Sequence, residues 1–433
     1  MTRGRPGRPP DQPLGLGVDL GSSGVRAALV TSDGTVLARS QLPYCGEFES
    51  AEVWRQTLCA VVAALPASLR RQTAAICLDG TSGTLLACGH DGHPLAPALA
   101  YNVACPEQAA AAAALVPGGG PAASAGGSLA RGLHLLARLD GPLWLRHQAD
   151  WLMGWLLEDW RWGEEGNNQR LGWDPLQRRW VGTLADQPWA DALPTIVPCG
   201  TVLGGLTAAS AASLGLDAGV WVVSGTTDGT ATALAANPGP DDGVTVLGTT
   251  TVLKQLADAP RSGPGISSHR VGDRWLVGGA SNGGAGVLLQ FFSIDQLDEL
   301  SRSIDWRRPS GLRLRPLPGP GERFPVNDPT LEPVLGPRPV SDALYLQALL
   351  EGLTELERLG WEQLRTLGLP APGRILTVGG GARNPIWRQL REQTLGVPVR
   401  NQPDAWAAAA MGRLALQSIG GQAPDWSCTN AAP

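Results

Sequence analysis

Seven cysteines (45, 59, 77, 88, 105, 199 and 428) are scattered along the chain with no C-x-x-C and no close pair. That spacing excludes a recognisable disulfide framework or zinc ribbon, and it points to buried or free thiols in a reducing compartment. Long apolar runs are missing too. Nothing approaches the ~20 consecutive apolar residues of a membrane span, and the Ala-rich run at 109–115 reads as part of a surface helix. Positive charge is not in excess: the formal net charge is −5, which leaves no electrostatic footprint for nucleic acid or an anionic membrane. Residues 1–13 are dominated by Arg, Pro and Gly and lack the apolar core of a signal peptide. They read as a loose tail on a soluble, cytoplasmic protein.

What is present suits two domains, since 433 residues exceed what one core usually serves. The organising stretch is 14–42. Residues 14–20 read as an apolar strand carrying Asp19, and Gly21-Ser22-Ser23-Gly24 as a tight turn. Residues 25–31 and 35–42 read as two further strands joined at Ser32-Asp33-Gly34. Glycines let backbone N–H groups crowd toward an anion, and the two hydroxyls add donors. Asp19 is then placed to address a metal carried by that anion, although an ordinary glycine hairpin with a capping Asp reads equally well. A second copy separates the readings: residues 243–256 run strand, Gly248-Thr249-Thr250, strand. A duplicated strand–phosphate turn–strand is the outline of the actin/hexokinase-type ATPase fold, in which two related α/β domains hold a nucleotide in a cleft.

Along the chain, 51–69 reads as a helix, and 74–78 as a strand ending in Asp79-Gly80-Thr81-Ser82-Gly83. Polar groups at the end of a buried strand either face a ligand, as in open α/β sheets, or close a simple turn. His90 and His93 flank a turn, with no third metal ligand nearby in sequence. Helix is expected over 126–139 and through the tryptophan-rich passage 144–162; sixteen tryptophans suggest packing under a lid or at an interface. Asn167-Asn168-Gln169 reads as substrate-lining or as turn chemistry. Residues 220–224 read as a strand, 225–229 as a turn and 230–236 as a helix. Asp228 is therefore either an N-cap or a general base held near a hydroxyl, and its place just before the second phosphate turn favours the base. In the second half, 275–277 reads as a strand, 278–285 as a flexible turn and 306–340 as Pro/Gly-rich loop. A long helix is expected over 341–364, a strand over 374–378, and then Gly379-Gly380-Gly381, where bare backbone makes room for a ring or a phosphate. Asn384 and Pro385 read as N-cap and first residue of the next helix. A last helix is expected over 405–419, with Gly412 marking close packing.

These motifs resemble the FGGY carbohydrate kinases from residue 16 to about 419. Among them the chain is most similar to the D-ribulose kinases of cyanobacteria and plants, the xylulose-kinase-like subgroup. The residues that carry the likeness are VDLGSSGVR (18–26), DGTSGT (79–84), GTTD (225–228), FPVNDP (324–329) and GGGARNPIW (379–387), with HQADWL (147–152) favouring the subgroup. The resemblance implies an ATP- and Mg²⁺-dependent transfer of the γ-phosphate to the terminal hydroxyl of a ketopentose, D-ribulose first, with D-xylulose or a polyol as the alternative. It implies Asp228 as catalytic base and Asp19 as the acid that holds Mg²⁺ through water and touches substrate. Ser22, Ser23 and Gly24 match the first phosphate turn, with Ser23 and Gly24 also near substrate; Asp79 and Ser82 match positions near the sugar. Gly248 and Thr249 match the second phosphate turn, and Gly380, Gly381, Asn384 and Trp387 the adenosine site. Expected domains are 14–236, sugar-binding, with helix 405–419 packing back on it, and 237–404, ATP-binding. Loose tails are expected at 1–13 and 420–433. A plant-type homologue would sit in the plastid stroma, but no transit peptide is seen. The expected partners are the small molecules alone, as monomer or homodimer. An actin-like interaction protein and a sugar-responsive repressor are the competing readings; the 1–13 tail is too short for a helix-turn-helix.

Overall fold

The computed structural model describes residues 13–117 and 119–420. The expected tails, apart from Pro13 and Gly420, lie outside the described residues, as does Cys428. The chain divides into two compact units: one runs to Ala231 and takes back the helix Ala407–Ile419, and the other is Thr232–Trp406. Among the described residues no helix is long and apolar enough to cross a membrane, and the six described cysteines are free thiols.

The first unit is built on β1 (Leu14–Leu20), β2 (Gly24–Val30), β3 (Val36–Pro43), β4 (Thr73–Gly80), β5 (Val202–Gly205) and β6 (Trp221–Val223). Their order in the sheet is β5-β6-β4-β1-β2-β3. Every residue of β1 is buried, because both faces of the sheet are covered. Leu14, Leu16, Val18 and Leu20 alternate onto the face where Trp54, Leu58, Val61 and Val62 of helix Ala51–Ala63 complete a core. Between them, Gly15 and Gly17 face the helix Ala407–Ile419. A Cβ on Gly17 would lie 1.7 Å from the Ala408 carbonyl oxygen, and one on Gly15 would lie 2.0 Å from that of Gly412. The expected close packing at Gly412 is thus helix against strand, with glycine on both sides.

The second unit repeats the plan with β7 (Asp242–Leu247), β8 (Thr251–Ala257), β9 (Ile266–Val271), β10 (Arg274–Ser281), β11 (Arg374–Val378) and β12 (Val399–Asn401), ordered β9-β10-β8-β7-β11-β12. In each sheet the first strand is antiparallel to the second and parallel to the strand on its other side. The two short turns correspond closely. Leu20 pairs with Val25 around the first, and Leu247 with Thr251 around the second. The Gly21 N–H donates to the Gly24 carbonyl at 3.0 Å, and the Gly248 N–H to the Thr250 carbonyl at 3.1 Å.

Four expectations about local structure need correction. Residues 144–162 are not one helix but strand Trp144–His147, helix Gln148–Leu157 and strand Trp162–Glu164. Trp144–His147 pairs with strand Leu85–Cys88, so a tertiary partner overrides the helical pattern. The helix expected over 51–69 stops at Ala63, and a separate turn, Ala67–Arg70, follows Pro66, whose ring cannot continue a helix. Gly278 to Ser281 lie inside β10 rather than in a flexible turn, and a Cβ on Gly278 would lie 1.7 Å from the Leu253 carbonyl. The helix expected from 230 begins at Asp228.

Candidate active site

In the first unit three carboxylates collect at the carboxyl ends of adjacent parallel strands, where open α/β sheets bind ligands. Asp19 on β1 stands in register with Asp79 on β4, and Gly80 bridges to Thr227 just beyond β6. Asp19 is 6% exposed and accepts from the Arg26 guanidinium at 2.8 Å, straight across the hairpin from its register partner. Asp79 is fully buried, and neither of its carboxylate oxygens has a hydrogen-bond partner. Burial, with Asp19 and Asp228 adding like charge, holds its carboxyl well above the usual range. A buried acid without a donor is costly unless something brings one, and a polyhydroxylated ligand would.

Asp228 is not the cap of its helix. Thr227 fills that place: its hydroxyl oxygen accepts the Thr230 N–H at 3.3 Å and its carbonyl the Ala231 N–H at 2.9 Å. The Asp228 carboxylate instead accepts N–H donors from its neighbour Gly229, at 2.8 Å, and from Ser82, at 3.3 Å, across the sheet end. Burial is the main cause that raises its pKa to about 6, with Asp19 adding to it, while those two N–H groups and the Arg170 charge pull the other way. A carboxylate poised near neutrality is suited to proton abstraction.

The two turns of this unit are tied through residues that sequence reasoning missed. The Tyr44 hydroxyl donates to the Gly21 carbonyl at 3.0 Å, and the Gln148 amide donates to that hydroxyl at 3.2 Å. Gln148 Oε1 in turn accepts the Thr81 N–H at 3.0 Å and its hydroxyl at 2.7 Å. Gly83, at φ +97°, completes the 79–83 turn, and its carbonyl is held by the buried Arg131 at 2.9 Å. Ser22 and Ser23 are exposed at the first turn, whereas Gly24 is buried in β2, where a Cβ would lie 2.3 Å from the Leu42 carbonyl. Asn167 is buried with its side-chain nitrogen and oxygen both unpartnered. Of the tryptophan-rich passage, His147 and Gln148 carry the signal that could have been read, as polar residues at a strand end.

In the second unit a cavity of about 510 Å³ is lined by six of the eight residues expected at the nucleotide, Gly248, Thr249, Gly380, Gly381, Asn384 and Trp387, while Ser22 and Ser23 belong to the first unit. Asn384 caps its helix as expected, its Oδ1 accepting from Ile386 and Trp387 at 3.0 Å each, with Pro385 first in the helix. Trp387 is 2% exposed; its indole N–H donates to the Thr354 hydroxyl at 3.1 Å, and a Cβ on Gly381 would lie 2.8 Å from the ring. The ring therefore belongs to the core and floors the cavity. Helix Ile294–Ser301 supplies Ile294, Leu297 and Asp298 to the rim. That helix was not anticipated, although its capping box, Ser293 with Gln296, is readable in sequence. The cavity has the apolar walls and bare glycine backbone that a planar ring with a phosphate tail needs.

Residues 243–420 match the C-terminal domain of the FGGY family of carbohydrate kinases. An L-fuculokinase of Escherichia coli strain K12 is 35% identical over 66 residues, which is 15% of this chain and 14% of that protein. The chain thus spans about one-seventh of the length of the curated relative it matches. Among solved structures, a xyloylose kinase from Brucella ovis superposes with a TM-score of 0.81 at 23% identity, covering 95% of this chain and 91% of that one. A xylulose kinase from Rhodospirillum rubrum gives 0.79 at 21% identity, covering 96% and 91%. The fold is the two-domain α/β fold of the actin-like ATPases, as the duplicated turn led us to expect.

Proposed function

We propose that the protein is an ATP-dependent sugar kinase, on the match of residues 243–420 to the C-terminal domain of the FGGY family of carbohydrate kinases. The acceptor is a ketopentose, D-ribulose, phosphorylated on its terminal hydroxyl to D-ribulose 5-phosphate. The observation that carries this reading is Asp228: a carboxylate raised to about 6, released from capping duty and held by the Ser82 N–H beside two further acids. Asp228 takes the proton of the attacking hydroxyl; Asp79 accepts hydrogen bonds from sugar hydroxyls, and the Ser82 turn fixes their register. The exposed Ser22 and Ser23 and the Gly248-Thr249 turn offer N–H and O–H donors to phosphate oxygens. The cavity over Trp387 takes the adenine ring, with Gly380 and Gly381 against it.

The carboxylate oxygens of Asp19 and of the unpartnered Asp79, in register on neighbouring strands, are the donor type a hard cation such as Mg²⁺ takes, and the Arg26 guanidinium occupies one Asp19 oxygen. Asp19 would hold it, through water. When bound, the ion neutralises charge on the phosphate oxygens. Asp19→Asn is expected to lose activity with an altered magnesium dependence.

The motifs 147–152 and 324–329 support D-ribulose. The solved xylulose kinases that share the fold favour D-xylulose as the second reading. Sugar-dependent ADP release over a panel of ketopentoses and polyols decides: fastest turnover is expected with D-ribulose, and no ADP release with any sugar or polyol would sink the kinase reading.

A further inference from the structure

Away from the strand-end carboxylates, one cluster of ligating groups is unused by the chemistry above. Cys105 immediately precedes the short turn Pro106–Gln108, Glu107 lies within it, and His134 projects from helix Ser128–Leu136. One ligand atom from each lies within 4.8 Å of the other two, although His134 is 27 positions beyond Glu107 and the three form no spaced motif. The Glu107 carboxylate meets His134 Nδ1 at 2.5 Å, and the Cys105 thiol is buried beside them, with the residue 2% exposed. We propose that Cys105 Sγ, Glu107 and His134 form a Zn²⁺ site, with water as fourth ligand on the side open to solvent.

Thiolate, imidazole and carboxylate together match the borderline-soft chemistry of zinc and not that of magnesium or calcium. The loop is held for the purpose by its own backbone: the Cys105 N–H donates to the Ala125 carbonyl at 2.9 Å. The buried Arg131, one turn from His134, donates to the carbonyls of Val103, Tyr101 and Gly126 as well as Gly83. Zinc would therefore staple the 101–108 loop to the helix whose Arg131 holds the 79–83 turn. Binding converts the Cys105 thiol to thiolate and releases one proton to solvent. The charges facing the site are Arg138 and Arg131. Arg138 Nη1 stands 2.6 Å from His134 and competes for it, but that side chain is exposed and free to swing away.

The test uses the full chain stripped with chelator and titrated with Co²⁺, then Zn²⁺. One equivalent of Co²⁺ should produce intense visible bands of a tetrahedral site together with thiolate charge transfer, and Zn²⁺ should displace it. Zn²⁺ should also raise Tm. Cys105→Ser and His134→Gln should each weaken binding by about 100-fold or more, at least the top of the range known for disturbed metal sites. Glu107→Gln should weaken it less, and Arg138→Gln should leave it intact or tighter. Because Cys105 is buried, His134→Gln, at a partly exposed position, is the deciding variant should Cys105→Ser fail to fold. Bands that persist undiminished in His134→Gln, or the absence of thiolate charge transfer in the parent chain, would overturn the proposal.

Discussion

Replacing Asp228 by Asn should move activity and stability in opposite directions. The carboxylate is raised from 3.8 to about 6, mainly by burial. A raised folded-state pKa means that the folded chain holds this proton more tightly than the unfolded chain does. The associated stability is complete below about pH 4 and is lost as pH rises through about 6, so at pH 8 the ionised Asp228 is a net cost. Two pKa units correspond to about 3 kcal/mol at 1.36 kcal/mol each. Because the side chain is only partly covered and keeps two N–H donors, about 1–3 kcal/mol is the expected gain in Asp228→Asn at pH 8, falling to nothing near pH 4. Asn retains an oxygen in the place of Oδ1, which accepts both donors. Catalysis should fall by ~10²–10⁴-fold, the usual worth of a general base, while ATP binding persists. In the parent chain kcat/KM should climb through about pH 6 and then level. The assays are urea unfolding at pH 4 and pH 8 and coupled ADP release across pH 5–9. An Asp228→Asn variant that is less stable at pH 8 and retains near-normal turnover would refute the reasoning, and the base would then have to be sought at Asp79 or Asp19.

Three further outcomes follow from particular contacts. Trp387→Ala should raise the KM for ATP far more than that for the sugar, alongside a loss of about 3–5 kcal/mol from emptying a core position; equal effects on both KM values would leave the ring a packing residue only. Lys254, the chain's single lysine, is 4% exposed, bonded to the Ser267 hydroxyl at 2.8 Å and lowered by burial to about 7. A depressed lysine makes stability rise as pH climbs from 7 toward 10.5, so Lys254→Met should gain roughly 2–5 kcal/mol at pH 7 and flatten that rise in a denaturation series. Arg391 and Glu357 form a buried two-pronged pair at 2.6 and 2.7 Å, shared with Thr245 and Thr377. Arg391→Met alone should cost about 3–5 kcal/mol by stranding the carboxylate, and a double change to apolar residues should recover much of it in thermal unfolding.

Local pattern alone established a good share of this protein. The two glycine turns between strands, the Asn384-Pro385 helix start and the acids at strand ends are short-range features: a turn needs its glycine and a helix needs its cap whatever surrounds them. The likeness of the stretch 14–42 to 243–256, turn 21–23 matching turn 248–250, was legible for the same reason, and the sheets repeat one strand plan. What only the tertiary structure decided depends on partners far along the chain. Residues 144–147 are a strand because 85–88 supplies the other half of the ladder; four residues are too few for a period that distinguishes strand from helix. Asp228 ceases to be a cap because the Thr227 hydroxyl accepts from the Thr230 N–H, a choice between adjacent residues that can both cap. Its pKa is raised mainly by the burial that the sheet imposes, and further by Asp19, 209 positions earlier in the chain. The Tyr44–Gln148–Thr81 chain, the Arg131 grip on four carbonyls and the meeting of Cys105 with His134 join residues whose sequence separations carry no signal. Hydrogen bonds and ligand sets are made in space, and only packing brings their members together.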